Sequence, residues 1–146
     1  MKAILIFILL GLTFSYNGGG AALYAKKYCD KYNPDYNKYT NRTEESANFV
    51  SQCISAGGQD FEGCEGRDDK GMFKNSGDLK KCLIKKGWTK KNVPQKGFPA
   101  FVKVSYMTMI ISDISIRGEV AYCSHTPDRC AARYSIAAFE FYAPPK

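Results

Sequence analysis

The sequence predicts an α+β domain in which N-terminal helices pack on a small antiparallel sheet. Apolar residues recur at helical spacing through the first half of the chain, whereas from Phe101 onward β-type residues dominate. Helices first and strands second is the order of an α+β domain, not of alternating βαβ units. All six cysteines of the 146-residue chain lie beyond a short apolar leader, the usage of a chain held by disulfides in an oxidising compartment. No internal repeat and no long linker divides the chain.

Lys2 followed by the apolar run Ala3–Leu12 reads as the n-region and h-region of a secretory signal, with cleavage near Ser15. The expected organisation is therefore a signal peptide, 1–15, then a single domain, 16–146. The run is shorter than the about 20 apolar residues of a membrane-spanning helix, and no later stretch is long enough either. Tyr16-Asn17-Gly18-Gly19-Gly20 then breaks the chain.

A first helix is expected from Ala21 to Cys29, with Ala21, Ala25, Tyr28 and Tyr32 on one face and Asn33-Pro34 as its end. A tyrosine-rich loop, Tyr36 to Tyr39, follows. The second helix is expected over Ser46–Ile54. Ser46 is its candidate N-cap, Phe49, Val50, Cys53 and Ile54 its core-facing stripe, and Gly57-Gly58 its stop. The glycine-rich acidic piece 59–72 reads as loop. Ser76–Leu83 reads as a third helix burying Leu79, Cys82 and Leu83, with Gly87 after it. Strands are expected near 101–112, 118–125 and 134–142, with turns at 113–118 and 126–129.

An even cysteine count in a secreted chain points to three disulfides among Cys29, Cys53, Cys64, Cys82, Cys123 and Cys130. Sequence alone does not choose the pairing, although Cys123 and Cys130 are close enough to close a small loop. With no CxxC and one histidine, a zinc site is not expected, nor any other cofactor. The net charge is +7, with lysines crowded between Lys70 and Lys96. A basic extracellular surface favours anionic partners such as cell walls, acidic glycans or membrane headgroups, and it equally fits a solvated lysine face that keeps the protein soluble. Nucleic acid is not expected, because no recognition motif accompanies the charge. The third helix has too narrow an apolar face for a membrane-perturbing helix. Asn41-Arg42-Thr43 is a glycosylation sequon at Asn41.

Ala47-Asn48-Phe49-Val50-Ser51-Gln52-Cys53, followed by Ala56-Gly57-Gly58, resembles the signature of the Putative amidase domain family. Ala21–Ala25, Asn33-Pro34-Asp35-Tyr36, Lys86-Gly87-Trp88 and Ser124-His125-Thr126-Pro127-Asp128-Arg129 fit its other segments. The resemblance implies a papain-like α+β fold, with a cysteine nucleophile at a helix start and a histidine base on a neighbouring strand, hydrolysing amide bonds of cell-wall peptides. A thiol at a helix N-terminus feels the positive end of the macrodipole, and a histidine can take its proton. Asn48, Gln52 and Trp88 are the candidate binding residues that the matching segments supply.

At the site positions this sequence departs from the family. Its Asp-Cys is here Glu45-Ser46. The strand that should carry the histidine, Lys103–Ile110, has none, and Tyr106 is expected in its place. The degenerate catalytic positions are thus Ser46, Tyr106 and His125. Serine needs a base to become a nucleophile, and tyrosine, with a pKa of about 10, is a poor one at neutral pH. The expectation is a secreted, monomeric, pseudoenzyme-like protein that binds cell-wall peptide or anionic glycan. The alternative is an active amide hydrolase using Ser46 with His125.

Overall fold

A computed structural model describes residues 15–146. The expected signal peptide, apart from Ser15, lies outside the described residues. Three α-helices and a six-stranded antiparallel sheet make up the described chain. The helices are α1 (Gly18–Tyr28), α2 (Arg42–Ala56) and α3 (Ser76–Lys85). The strands are β1 (Thr89–Lys91), β2 (Pro99–Val102), β3 (Thr108–Ile114), β4 (Val120–Ser124), β5 (Arg129–Arg133) and β6 (Phe139–Ala143), in the spatial order β1-β6-β2-β3-β4-β5. No described helix is long and apolar enough to cross a membrane.

α2 is the centre of the molecule. Its expected stripe, Phe49, Val50, Cys53 and Ile54, is fully buried, but so is every other residue from Glu45 to Ile54. The helix also begins earlier than expected. Asn41, not Ser46, is the N-cap, accepting hydrogen bonds from the Thr43 and Glu44 amides, and Glu44 and Glu45 stand in the first turn, where the macrodipole favours acids. Ser46 is therefore inside the helix.

α1 starts at Gly18 because Asn17 caps it, its side chain accepting from the Gly20 amide. It stops at Cys29, so Tyr32 lies beyond it. Its start is pressed against the end of α2: the Asn17 amide donates to the Gly57 carbonyl at 2.8 Å. The Tyr16 hydroxyl donates to the Gly97 carbonyl at 2.6 Å, and its ring meets Trp88 edge-on at 4.9 Å.

The sheet separates two apolar clusters. Phe101, Ile110, Cys123 and Tyr142 face the helices. Ala100, Met109, Ile111, Tyr122, Phe139 and Phe141 form a second cluster on the other face, as period-2 alternation requires. The single strand expected over 101–112 is in fact two, β2 and β3, joined by a hairpin at 103–107. Its tip residues Val104 and Tyr106 are β-type by composition yet stand in solvent. The segment 134–142 divides into a short 3-10 turn, Ile136–Ala138, and β6. The expected turn at 126–129 is displaced by one residue, to 125–128, because an exposed edge strand, β5, begins at Arg129.

Four of the six cysteines are paired: Cys29 with Cys130, and Cys64 with Cys82. This corrects the expectation of three bonds and of a Cys123–Cys130 loop. Cys123 points from β4 into the helical core, where it and Cys53 are buried free thiols. Cys130 sits on the exposed edge strand, within reach of the end of α1. Burial first, and neighbouring Cys123 second, push the Cys53 thiol well above its ordinary range.

Two tests follow from this packing. A Cβ at Gly57 would lie 2.4 Å from the Tyr16 ring and 2.9 Å from the Asn17 carbonyl oxygen. The ring is held by Trp88 and Gly97 and has nowhere to go. Gly57→Ala is expected to cost about 1–3 kcal/mol, measured as a lower thermal midpoint and urea midpoint. Alkylation should label no cysteine in the native protein and, after denaturation without reductant, only Cys53 and Cys123. Absence of label in the denatured protein would show a third bond between them.

Candidate functional site

The candidate site lies where the first two turns of α2 meet the start of β3 and the N-terminus of α3. The Ser46 side chain is completely buried. Its hydroxyl donates to the Thr43 carbonyl at 3.1 Å, one turn back, and accepts from the Thr108 amide at 3.4 Å. The strand residue facing Ser46 is thus Thr108. Tyr106, expected there, is 75% exposed on the hairpin. It lies before β3 begins, so it is not held by the strand. The Thr108 hydroxyl donates to Ser76 Oγ at 2.5 Å, and the Ser76 hydroxyl donates to the Tyr106 carbonyl at 2.7 Å. The result is a chain of contacts through Ser46, Thr108 and Ser76 in which no basic group takes part.

His125 is brought close to the start of α2, but not as a base for Ser46. Its Nδ1 lies 2.7 Å from Glu45 Oε1 and its Nε2 2.6 Å from the Tyr28 carbonyl oxygen. The ring stacks on Phe49 at 3.9 Å and is 1% exposed. A carbonyl only accepts, so Nε2 carries a hydrogen. The contact with Glu45 then holds one proton, giving either an imidazolium with a carboxylate or an imidazole with a carboxylic acid. In both states neither ring nitrogen has a lone pair directed at Ser46. The second Glu45 oxygen accepts from the Tyr39 amide at 2.7 Å, so this buried carboxyl ties α2 to the tyrosine loop and to the end of β4. The expected partnership of Ser46 with His125 is absent from this arrangement. Nor does His125 bond within the turn that follows it.

The three candidate binding residues are buried and already matched. Asn48 donates to Asp68 Oδ2 at 3.0 Å and accepts from Gln52 Nε2 at 2.7 Å. Gln52 Oε1 accepts from the Tyr24 hydroxyl at 2.7 Å. Trp88 Nε1 donates to Gln59 Oε1 at 2.8 Å. These contacts join α1, α2 and the 59–72 loop, and none of the three side chains is presented to a ligand. Asp68 is the hub that sequence reading missed. It also accepts from Tyr39, Asn37 and the Lys70 and Met72 amides. These bonds outweigh the opposing effect of burial and hold its carboxyl below the ordinary range. Asn41 is exposed and spends its Oδ1 on capping α2.

Beside the hydroxyl cluster the surface opens into a cavity of about 360 Å³ lined by Ser76, Lys80, Phe101, Lys103, Tyr106 and Glu140, among others. Ser76 belongs to both the cluster and the cavity wall. Ser46 does not reach that cavity wall.

The sequence profile of the Putative amidase domain family matches residues 15–112, well over half of the chain. The chain belongs to that family. Within it, this protein is similar to the "Uncharacterized protein YhbB" of Bacillus subtilis (strain 168), 38% identical over 66 residues, which cover 45% of this chain and 20% of that protein. The aligned part thus spans a fifth of the relative's length. No solved structure matches. In this amidase-family chain the segment Ala47–Gly58 has a visible physical basis. Asn48 and Gln52 are its buried polar links, Phe49 carries the His125 ring, and Gly57 receives Tyr16.

Glu45 and His125 give a test of their structural role. Removing one member of a buried, hydrogen-bonded pair strands the other. His125→Ala and Glu45→Ala should each cost about 3–5 kcal/mol. Glu45→Gln should cost much less, because its amide can donate to Nδ1 of a neutral imidazole while its oxygen still accepts from Tyr39. Thermal and urea denaturation of the three variants check this. Equal losses in all three would mean that the proton shared with His125 is not what the site requires.

Proposed function

We propose that this chain is a secreted amidase-family domain that has lost catalysis and acts as a monomer by binding cell-wall peptide or anionic glycan, on a papain-like arrangement of helix and sheet. The observation that carries the reading is the state of Ser46: a fully buried hydroxyl facing the Thr108 amide rather than an imidazole. A serine without a base does not attack an amide at neutral pH. The two free thiols do not replace it, since both are buried in the core. Disulfides at Cys29–Cys130 and Cys64–Cys82 suit an oxidising, extracellular setting. Basic charge with aromatic side chains around a cavity suits peptide or sugar ligands.

The test combines retention and turnover. The full chain is mixed with insoluble peptidoglycan, and the bound fraction is measured alongside newly released amino groups. Retention without release is expected, and Ser46→Ala should change neither. Release of amino groups that Ser46→Ala abolishes would establish an active hydrolase instead.

A further inference from the structure

Two cavities adjoin on the β1–β6 side of the sheet. The first, about 360 Å³, is the one beside Ser76; the second, about 370 Å³, is lined by Lys90, Lys91, Asn92, Ile136 and Phe141, among others, and both include Lys103 and Glu140 in their walls. Each alone is of ligand-binding size. Sharing those two walls, they form a trough that runs from the start of α3 to the first residues of β6 and the end of β1. Its charged lining is Lys80, Lys90, Lys91 and Lys103 against a single carboxylate, Glu140.

That carboxylate organises the cations. Glu140 Oε2 accepts from Lys80 Nζ at 2.9 Å and Oε1 from Lys90 Nζ at 2.7 Å. The two lysines hold its carboxyl down to about 2, so it remains ionised. Lys80 Nζ also lies over the Phe101 ring at 4.9 Å. Lys103 is held by the Ala137 carbonyl at 2.8 Å. Lysine is ordinarily a mobile point charge; here three ammoniums have fixed positions, with surplus positive charge between aromatic and apolar walls.

We propose that this trough binds a linear anionic polysaccharide, its acidic groups meeting Lys80, Lys90, Lys91 and Lys103 and its sugar faces lying against the exposed ring of Tyr106. The inference rests on the reading that the chain binds rather than cleaves, and it gives that reading a site. Spaced ammoniums suit a row of single acidic groups, whereas a lone phosphate is better served by the fork of arginine. The cations line a concave trough instead of a convex face, which favours a chain over a bilayer.

The test uses the full chain with heparin as the probe, neutral dextran as the control, and vesicles of phosphatidylglycerol in phosphatidylcholine as the bilayer arm. Binding to heparin but not dextran is expected. Lys80→Gln with Lys90→Gln and Lys103→Gln should weaken it by about tenfold, the product of three exposed ion pairs of ordinary strength. The slope of log Kd against log salt should fall by roughly two, as three contacts with a dense polyanion are lost. Lys31→Gln with Lys38→Gln and Lys70→Gln removes the same charge elsewhere and should have less than about a twofold effect. If the trough triple fails to fold, Lys91→Gln with Lys103→Gln tests the same site without touching the Glu140 pairs. Equal weakening by trough and control triples would overturn the site, as would vesicle binding that exceeds heparin binding and shows the same lysine dependence. Retention on peptidoglycan unaffected by the trough variants would sink the trough while leaving the binding reading standing. A wild-type chain that binds neither heparin nor peptidoglycan would sink both.

Discussion

The structure depends on one constraint: α2 runs through the interior while carrying five polar side chains, Glu45, Ser46, Asn48, Ser51 and Gln52, none of which reaches solvent. A polar group buried without a partner costs several kcal/mol, about as much as one deleted core side chain. Every element around α2 is placed so that each of these groups is matched. α1 brings the Tyr24 hydroxyl to Gln52. The loop at 59–72 brings Asp68 to Asn48, and the Phe73 amide donates to Ser51 at 3.1 Å. The end of β4 brings His125 to Glu45 and the start of β3 brings the Thr108 amide to Ser46. The loops are ordered by what they supply to the helix, and the disulfides hold two of the outlying pieces, β5 and the 59–72 loop, to the helical layer.

The same constraint governs the junction where the start of α2 meets β3. A thiol and an imidazole at a helix–strand junction form a reactive pair. The hydroxyls of Ser46 and Thr108 instead form part of a clip between α2, β3 and α3. Ser46 satisfies itself on the preceding turn, and Thr108 turns its side chain to Ser76. Neither hydroxyl is left unmatched. The buried pair beside it is structural. Glu45 joins α2 to two other segments, and His125 has both nitrogens engaged in doing the same.

The helical stripe of α2, the third helix and the β character of the second half are legible in the sequence because burial there follows simple periodicity. The burial of α2's polar face is not legible that way. A 3.6-residue period assigns Asn48 and Gln52 to solvent or to a ligand, and only the positions of Tyr24 and Asp68, fixed by the whole fold, show otherwise. The start of α1 is misread for a related reason. Gly18–Gly20 look like a break, yet Asn17 caps a helix through them, and the backbone at Lys96–Gly97 comes too near for side chains: a Cβ at Gly97 would sit 1.9 Å from the Gly18 carbonyl oxygen. The hairpin between β2 and β3 carries no glycine or proline at its tip, and the exposed Val104 and Tyr106 disguise it as strand. Tyr106 thus stands on the hairpin, and Thr108 is the strand residue beside Ser46. β1, three residues of which two are lysines, is too short and too charged to announce itself.

The cysteines bear on catalysis from a second direction. A thiol-dependent member of such a family, if it also uses disulfides, needs one cysteine that is neither paired nor buried. Here four are bonded and two are sealed in the core. Cys53 shares a helix with Ser46 but lies seven residues further on, about 10 Å along the axis at 1.5 Å per residue. It is away from the end of the macrodipole that would favour a thiolate, in a setting that resists ionisation. Neither free thiol is therefore presented at the start of α2. Charged groups are gathered instead at the surface, where Glu140 holds Lys80 and Lys90.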